Sequence, residues 1–387
     1  MAGTLTRSGL AAVHDAAARQ VGDDKIPGLV ALVASGHQIH VETLGSLAIG
    51  GAPVVRDSLF RIASMTKPVT GAATMALIEE GLISLDEPVD RLLPELAARR
   101  VLRTVTGPLD DTVPASRPIT VRDLLTFTFG FGFVMEMFTE PGPLPIVVAE
   151  QAAKLATFGP PDRKVQPDGD TWLAGLGSLP LLAQPGERWM YNTGASVLGV
   201  LLARAAGMPL RDVFRTRLLD PLGMAQTAFW TTEPARLAAA YRAAPGGLEI
   251  WDPPDGDYSC APAFEDGAGG LVSTVDDLLA FARLFLRRGD PVLSPESVTA
   301  MTTDQLTPQQ KARGGLGADF FSGMSWSFCQ AVQDDGVFGW DGGFGSTWMV
   351  DPARELVVII LTQRMFDGPG LPDSHRAIRE AAYAALE

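Results

Sequence analysis

An unbroken apolar run, Leu29-Val30-Ala31-Leu32-Val33-Ala34, stands near the amino end of this chain, and a strand-like stretch, Glu355 to Thr362, near its carboxyl end. The first has the length and composition of a buried strand. Ser35-Gly36 turns the first run into His37-Gln38-Ile39-His40-Val41-Glu42, whose alternation suits a half-exposed partner strand. Further strand-like stretches follow at Phe321 to Phe328 and Ser346 to Val350. Between them, from Ser64 to about residue 230, the apolar period becomes helical, as in Met75, Leu77, Ile78 and Leu82, then Val121 to Leu125, then Val197 to Ala206 closed by Gly207. Helices are also predicted over residues 9–20, from Thr274 to Arg287 and from Pro372 to Ala385. Sheet pieces at both ends of a helical middle predict one sheet assembled from the two termini and flanked by helices, an α/β unit plus an all-helical lobe. The boundaries are residues 1–65 with 231–387 for a discontinuous α/β domain and 66–230 for the mainly helical one. Pro and Gly break the middle at 107–118, 141–144, 159–169 and 185–186, which marks long loops of the kind that carry substrate sites.

With 387 residues, 46% of them hydrophobic, the chain can bury a sizeable core. Its net charge of −14 opposes binding to nucleic acid or to an anionic membrane surface and points to small, uncharged substrates. Cys260 and Cys329 make neither a disulfide framework nor a Cys-x-x-Cys site, and both read as small buried hydrophobes. No segment reaches the ~18 apolar residues of a membrane span, and the first residues lack the apolar stretch of a signal peptide. A cytoplasmic protein is the expectation.

Ser64 and Lys67 lie in Phe60-Arg61-Ile62-Ala63-Ser64-Met65-Thr66-Lys67-Pro68, and of the five lysines only Lys67 has serine three positions before it. On a helix, positions i and i+3 share a face, so a hydroxyl and an amine meet without help from distant loops. A serine beside a base is an activated nucleophile; an ordinary helix start is the competing reading, since serine is a good N-cap. The four histidines, His14, His37, His40 and His375, fall on predicted terminal helices or amino-end strands, where exposed structural positions account for them. His37 and His40, three apart in a strand, face opposite sides and make a poor metal pair. No Gly-x-Ser-x-Gly elbow is present, so a histidine-based triad and a zinc site are both disfavoured. Tyr191, at a loop-to-helix junction in Trp189-Met190-Tyr191-Asn192-Thr193-Gly194, is a second candidate base or else a core anchor. Phe338-Gly339-Trp340-Asp341-Gly342-Gly343 either allows close backbone approach to a ligand or makes a simple hairpin turn.

In this order and spacing the three segments resemble the serine β-lactamase and penicillin-recognising enzyme superfamily, class C-like, and among its members the family VIII carboxylesterases. Ile119-Thr120-Val121-Arg122-Asp123-Leu124-Leu125, Pro185-Gly186, Pro221-Leu222-Gly223-Met224, Gly269-Gly270-Leu271-Val272-Ser273-Thr274 and Val350-Asp351-Pro352 extend the likeness over most of the chain. The resemblance implies a β-lactamase/transpeptidase-like fold with an antiparallel sheet. It also implies an acylated Ser64, Lys67 and Tyr191 as its bases, and an oxyanion hole from the backbone N–H groups of Ser64 and Gly343. Asn192 and Thr193 depart from the family's Tyr-x-Asn. Trp340-Asp341-Gly342 replaces Lys-Thr-Gly, so an indole with an acid beside it stands where a cation would meet a substrate carboxylate, as in the esterase branch. Asn192, Trp340, Asp341 and Gly342 are therefore candidate substrate contacts. So are Phe129 and Phe131 of the apolar stretch Phe127 to Phe133, which otherwise packs the helical lobe on the sheet.

The expectation is a serine hydrolase that cleaves short or medium-chain carboxylic esters through an acyl-enzyme on Ser64, with no metal or organic cofactor. An acyltransferase, an amide or D-amino-acid peptidase and a weak β-lactamase are the alternatives on the same scaffold. A non-catalytic ligand-binding homologue is the alternative of another class, although a pure binder has no need of a paired nucleophile and base.

Overall fold

The computed structural model describes residues 3–159, 162–368 and 370–387. Its centre is a seven-stranded antiparallel sheet in the spatial order β2-β1-β7-β6-β5-β4-β3. The amino end supplies β1 (Gly28–Ser35) and β2 (Gln38–Gly45). The carboxyl end supplies β3 (Met324–Trp326), β4 (Ala331–Gln333), β5 (Phe338–Gly342), β6 (Ser346–Asp351) and β7 (Leu356–Thr362). β1 and β7 are neighbours, with Leu29 opposite Thr362 and Ser35 opposite Leu356. Every residue of β1 and β7 is buried because both faces of the sheet are covered. Leu29, Ala31 and Val33 pack with α1 (Arg7–Ala18) and the last helix, whereas Val30, Leu32 and Ala34 join the main core on the other face. The strand period of two thus divides one run between two layers.

The helical segments include α2 (Thr66–Glu79), α3 (Thr193–Ala206), α4 (Val275–Leu286) and α5 (Asp373–Ala384). Residues Thr66 to Leu77 of α2 are all buried, so this helix is a central rod with no solvent face. Pro68 sits in its first turn, where a missing N–H loses no intrahelical bond. Thr193 to Leu202 of α3 are buried as well, and α3 ends at Gly207 in the left-handed conformation (φ 65°).

The strand expected from Phe321 to Phe328 is shorter, because Ala318–Phe321 forms a 3₁₀ turn and Cys329 turns the chain with φ 64°. Two hairpins were not foreseen: Arg100–Leu102 with Thr112–Pro114, whose second strand lies in the segment 107–118 read as loop, and Ala240–Ala244 with Gly247–Asp252. His375 is buried rather than exposed, with Nε2 3.1 Å from the Gly345 carbonyl, and burial pulls its pKa down to about 4. His14 and His40 both bond Glu42 at the surface. Cys329 is buried as expected, but Cys260 is exposed. Among the described residues, no single helix is long and apolar enough to cross a membrane, and no cluster of three His, Cys, Asp or Glu side chains is placed to hold a metal ion.

Candidate active site

Ser64 lies in a 3₁₀ turn, Ala63–Met65, that leads directly into α2. Ala63 is held at φ 43°, a left-handed conformation disfavoured for alanine, and such strain persists only where surrounding packing imposes it. The packing comes from the end of β5. A Cβ at Gly342 would overlap the Ile62 carbonyl, and Ser346 Oγ donates to that same carbonyl at 3.0 Å. Only glycine lets the strand lie this close to the backbone that presents Ser64.

One turn along, the Lys67 side chain is entirely buried. Its Nζ donates to the Ala268 carbonyl at 2.7 Å, is hydrogen-bonded to Ser64 Oγ at 2.9 Å, and lies 4.7 Å from the centre of the Tyr191 ring. Burial pulls its pKa down to about 7, against the opposing charge of Asp266. Near neutral pH the amine is therefore half unprotonated, which a proton acceptor for a serine hydroxyl requires.

Tyr191 is hydrogen-bonded to Ser64 and accepts the indole N–H of Trp340 at 2.6 Å. Burial pushes its phenol above the usual range despite these bonds, so it remains protonated at neutral pH. Trp326 stands edge-on to the Trp340 ring at 4.7 Å, and Trp189 lies 5.8 Å from Tyr191, so the phenol is walled by aromatic rings.

A cavity of about 340 Å³ opens over Ser64. Phe133, Phe344, Met365 and Phe366 form its apolar wall, and Tyr191, Asn192 and Asp266 its polar parts. The Gly343 amide borders this space and has no protein hydrogen-bond acceptor among the described residues, while its carbonyl accepts from Phe366 N–H at 2.9 Å. Ser64, at the start of a 14-residue buried helix, faces the partial positive charge of the helix N-terminus. Together they make a site suited to a developing oxyanion. No lysine, arginine or histidine lines the cavity among the described residues. A larger cleft of about 500 Å³ between Asp168 and Arg211 lacks a serine–base pair, and its arginines are already engaged, Arg204 by Glu95 and Asp170 and Arg211 by Glu265.

Ser64, Lys67, Tyr191 and Gly343 are thus brought together, and five other sequence candidates fall elsewhere than expected, among them Gly342, which packs on the Ile62 carbonyl and does not line the cavity. Phe129 and Phe131 are fully buried core residues, Phe131 stacked on Phe158 at 5.6 Å, and it is Phe133 that reaches the cavity. The glycines between them fold the stretch tightly. Gly132, at φ 157°, passes so close to the Tyr191 carbonyl that a Cβ there would lie 2.5 Å from it. Asp341 points to the opposite face of the sheet, where it bonds Thr347 and accepts from Arg379 of α5 at 2.8 Å. Neighbours in a strand face opposite ways, so Trp340 on the cleft side requires Asp341 on the far side, and it places no charge near a ligand. Trp340 itself backs Tyr191 instead of lining the cavity. Asn192 does line it, at φ 90°, but its side-chain N–H is already given to the Thr157 carbonyl at 2.8 Å. Sequence reasoning missed Asp266, the Ala268 carbonyl and the Phe344–Phe366 wall. Asp266 directly precedes the Gly-rich run Gly267 to Gly270, and that position is the one signal that pointed to it.

A model of the Beta-lactamase family matches residues 13–383. Protein Rv1367c of Mycobacterium tuberculosis is 39% identical over 339 residues, covering 82% of this chain and 80% of that one. Esterase EstB of Burkholderia gladioli is 30% identical over 410 residues, covering 97% and 94%. Among solved structures, EstCE1, described as a hydrolase with promiscuous acyltransferase activity, superposes with a TM-score of 0.80 at 26% identity, covering 97% of this chain and 99% of that one. The fold is therefore β-lactamase/transpeptidase-like, and an esterase and a hydrolase with acyltransferase activity stand among the similar proteins. With the family model spanning nearly its whole length, the chain belongs to the beta-lactamase family, within the serine β-lactamase-like superfamily.

Proposed function

We propose that this protein is a carboxylesterase that cleaves short or medium-chain esters of uncharged acids through an acyl-enzyme on Ser64. The observation that carries the reading is the 2.9 Å contact between Ser64 Oγ and a fully buried Lys67 amine whose pKa lies near neutrality. In acylation Ser64 Oγ bonds the ester carbonyl carbon and its proton passes to Lys67 Nζ. The carbonyl oxygen takes the negative charge between the Ser64 and Gly343 amides. Collapse breaks the bond to the alcohol oxygen, which leaves with a proton relayed from Lys67 through the Tyr191 hydroxyl. Water then attacks the acyl carbon as its proton passes through Tyr191 to Lys67; collapse breaks the bond from the acyl carbon to Ser64 Oγ, which takes the proton back from Lys67 as the acid leaves. The apolar wall of Phe133, Phe344 and Phe366 supports an aliphatic or aromatic acyl group. The absence of a cation among the described lining residues argues against substrates with an obligatory carboxylate, penicillins and D-Ala-D-Ala peptides included. The test is hydrolysis of p-nitrophenyl esters from acetyl to octanoyl, with nitrocefin alongside, in the wild type and Ser64→Ala. Ester turnover that vanishes in the variant is expected, and turnover that survives it would sink the assignment.

A second reading, acyl transfer to an alcohol, is favoured by the similarity to EstCE1. Transfer differs from hydrolysis only in the acceptor, so added alcohol should divert product from acid to ester if the cavity admits it.

A further inference from the structure

Accepting a proton from Ser64 turns the fully buried Lys67 amine into an ammonium ion, and a buried charge without a counter-charge is costly. The groups facing Lys67 come from four elements. They are Ser64 on the nucleophile's own turn, Tyr191 before α3, Cys329 in the turn after β3, and Asp266 with Ala268 in the turn before α4. Burial raises both the Tyr191 phenol and the Cys329 thiol, which leaves the Asp266 carboxylate as the anion among them.

Asp266 is itself built into place. It is only 6% exposed, and its Oδ1 accepts from Ser196 Oγ of α3 at 2.7 Å and from the Ala268 N–H at 2.8 Å. Its own carbonyl caps the turn by accepting from Gly270 N–H at 3.0 Å. Thr70 Oγ1 of α2 donates to the Gly267 carbonyl at 2.6 Å, so the turn is tied to both central helices. Ala268 is thus held from both sides, its N–H by the Asp266 carboxylate and its carbonyl, in the next peptide group, by Lys67 Nζ at 2.7 Å. Oδ2 has no protein donor among the described residues, and the residue borders the cavity above Ser64.

We propose that Asp266 is a positioning residue for Lys67, fixing the Ala268 carbonyl that orients the amine and supplying the negative charge that stabilises the ammonium formed when Ser64 loses its proton. This rests on the reading of Lys67 as the base. Replacing the carboxylate by the isosteric amide in Asp266→Asn keeps an oxygen for Ser196 and Ala268 but removes the charge. Asp266→Ala removes both.

The experiment measures kcat/KM against pH with a p-nitrophenyl ester for the full chain and both variants. In parallel, ¹³Cε-lysine NMR follows the titration of Lys67, identified among five lysines by its loss in Lys67→Met. In Asp266→Asn, the acidic limb of the rate profile and the Lys67 titration should both move to lower pH, by about 0.5 to 1 unit, the lower end of the effect of an opposite charge. The plateau rate should fall about tenfold with KM little changed, because the ammonium is formed only on the way to the acyl-enzyme. A purely structural role would lower the amount of folded enzyme and leave the limb in place. An unmoved titration in Asp266→Asn overturns the proposal whether or not Asp266→Ala folds. Were the wild type to cleave no ester, the esterase reading would fall, and the NMR titration would still decide the role of Asp266.

Discussion

The amine of Lys67 gives the sharpest prediction, since its pKa near 7 converts directly into a rate profile. Burial lowers this pKa, so the protonated, inactive form dominates below about 7 and the neutral base above it. With a single ionisation at about 7, the neutral fraction is about 0.1 at pH 6, 0.5 at pH 7 and 0.9 at pH 8. The value of kcat/KM should therefore rise roughly tenfold between pH 6 and 8 with unit slope at its acidic end, reporting the free enzyme. Because p-nitrophenol titrates in the same range, release should be followed at its isosbestic wavelength or by the acid produced. Tyr191→Phe should lower the plateau and leave the limb where it is, because a phenol raised by burial is not deprotonated in this range. Were Tyr191 the base in its phenolate form, the limb would lie above pH 10. A profile flat from pH 6 to 8, or a limb in the tyrosine range that disappears in Tyr191→Phe, would refute the assignment of Lys67.

Trp340→Phe removes the N–H that Tyr191 accepts at 2.6 Å and should lower kcat about tenfold, about 1 to 1.5 kcal/mol, with KM nearly constant. Phe131→Ala should cost about 3 to 5 kcal/mol in a denaturant melt without altering acyl-chain preference, whereas Phe133→Ala should broaden that preference at little cost to stability. Asp341→Asn should leave nitrocefin turnover and ester selectivity unchanged while weakening the tie to Arg379 by about 1 kcal/mol, measured as a fall in Tm. Lys67→Met should abolish ester cleavage and raise stability at pH 7 by about 1 to 3 kcal/mol. The folded amine binds fewer protons than the unfolded one between about pH 7 and 10.5, a linkage cost of about 4 kcal/mol at pH 7, and methionine leaves only the Ala268 carbonyl unpaired. Wild-type stability should accordingly climb with pH across that window relative to the variant.

The assembly of the sheet was legible because β1 and β7 are buried on both faces, so their apolar character is unbroken and needs no partner to be recognised. The hairpins at Arg100–Leu102 and Ala240–Ala244 were not, since they are short, partly exposed and anchored at their outer edges by bonds to Leu181 and Gln363, distant in sequence. The register of Phe127 to Phe133 escaped for a related reason. Which of four alternating phenylalanines faces the cavity depends on the backbone turns at Gly130 and Gly132 and on the approach of Tyr191, none of which an apolar count contains.

The Ser64–Lys67 pair is local to one helical turn, and spacing alone brings it together. Its reactivity is not local. A lysine three residues after a serine on an exposed helix would stay charged and idle. What lowers this one to about 7 is that α3, the Asp266–Gly270 turn and the Cys329 turn close over it from three directions. Two of its partners are invisible to any motif: the Ala268 carbonyl carries no side-chain signature, and Asp266 lies 199 positions from Lys67. The same logic explains Asp341. In the sequence it stands beside Trp340 and reads as a charge at the binding site, yet the strand period sends it through the sheet to Arg379. Side-chain direction in a strand is fixed by which neighbour is buried, and here the Trp340 indole, bound to Tyr191 and packed on Trp326, decides it. Selection against anionic substrates then comes from the cations missing among the described residues that line the cavity and from the two aspartates that do line it, Asp266 and Asp367, while Asp341 has no part in it.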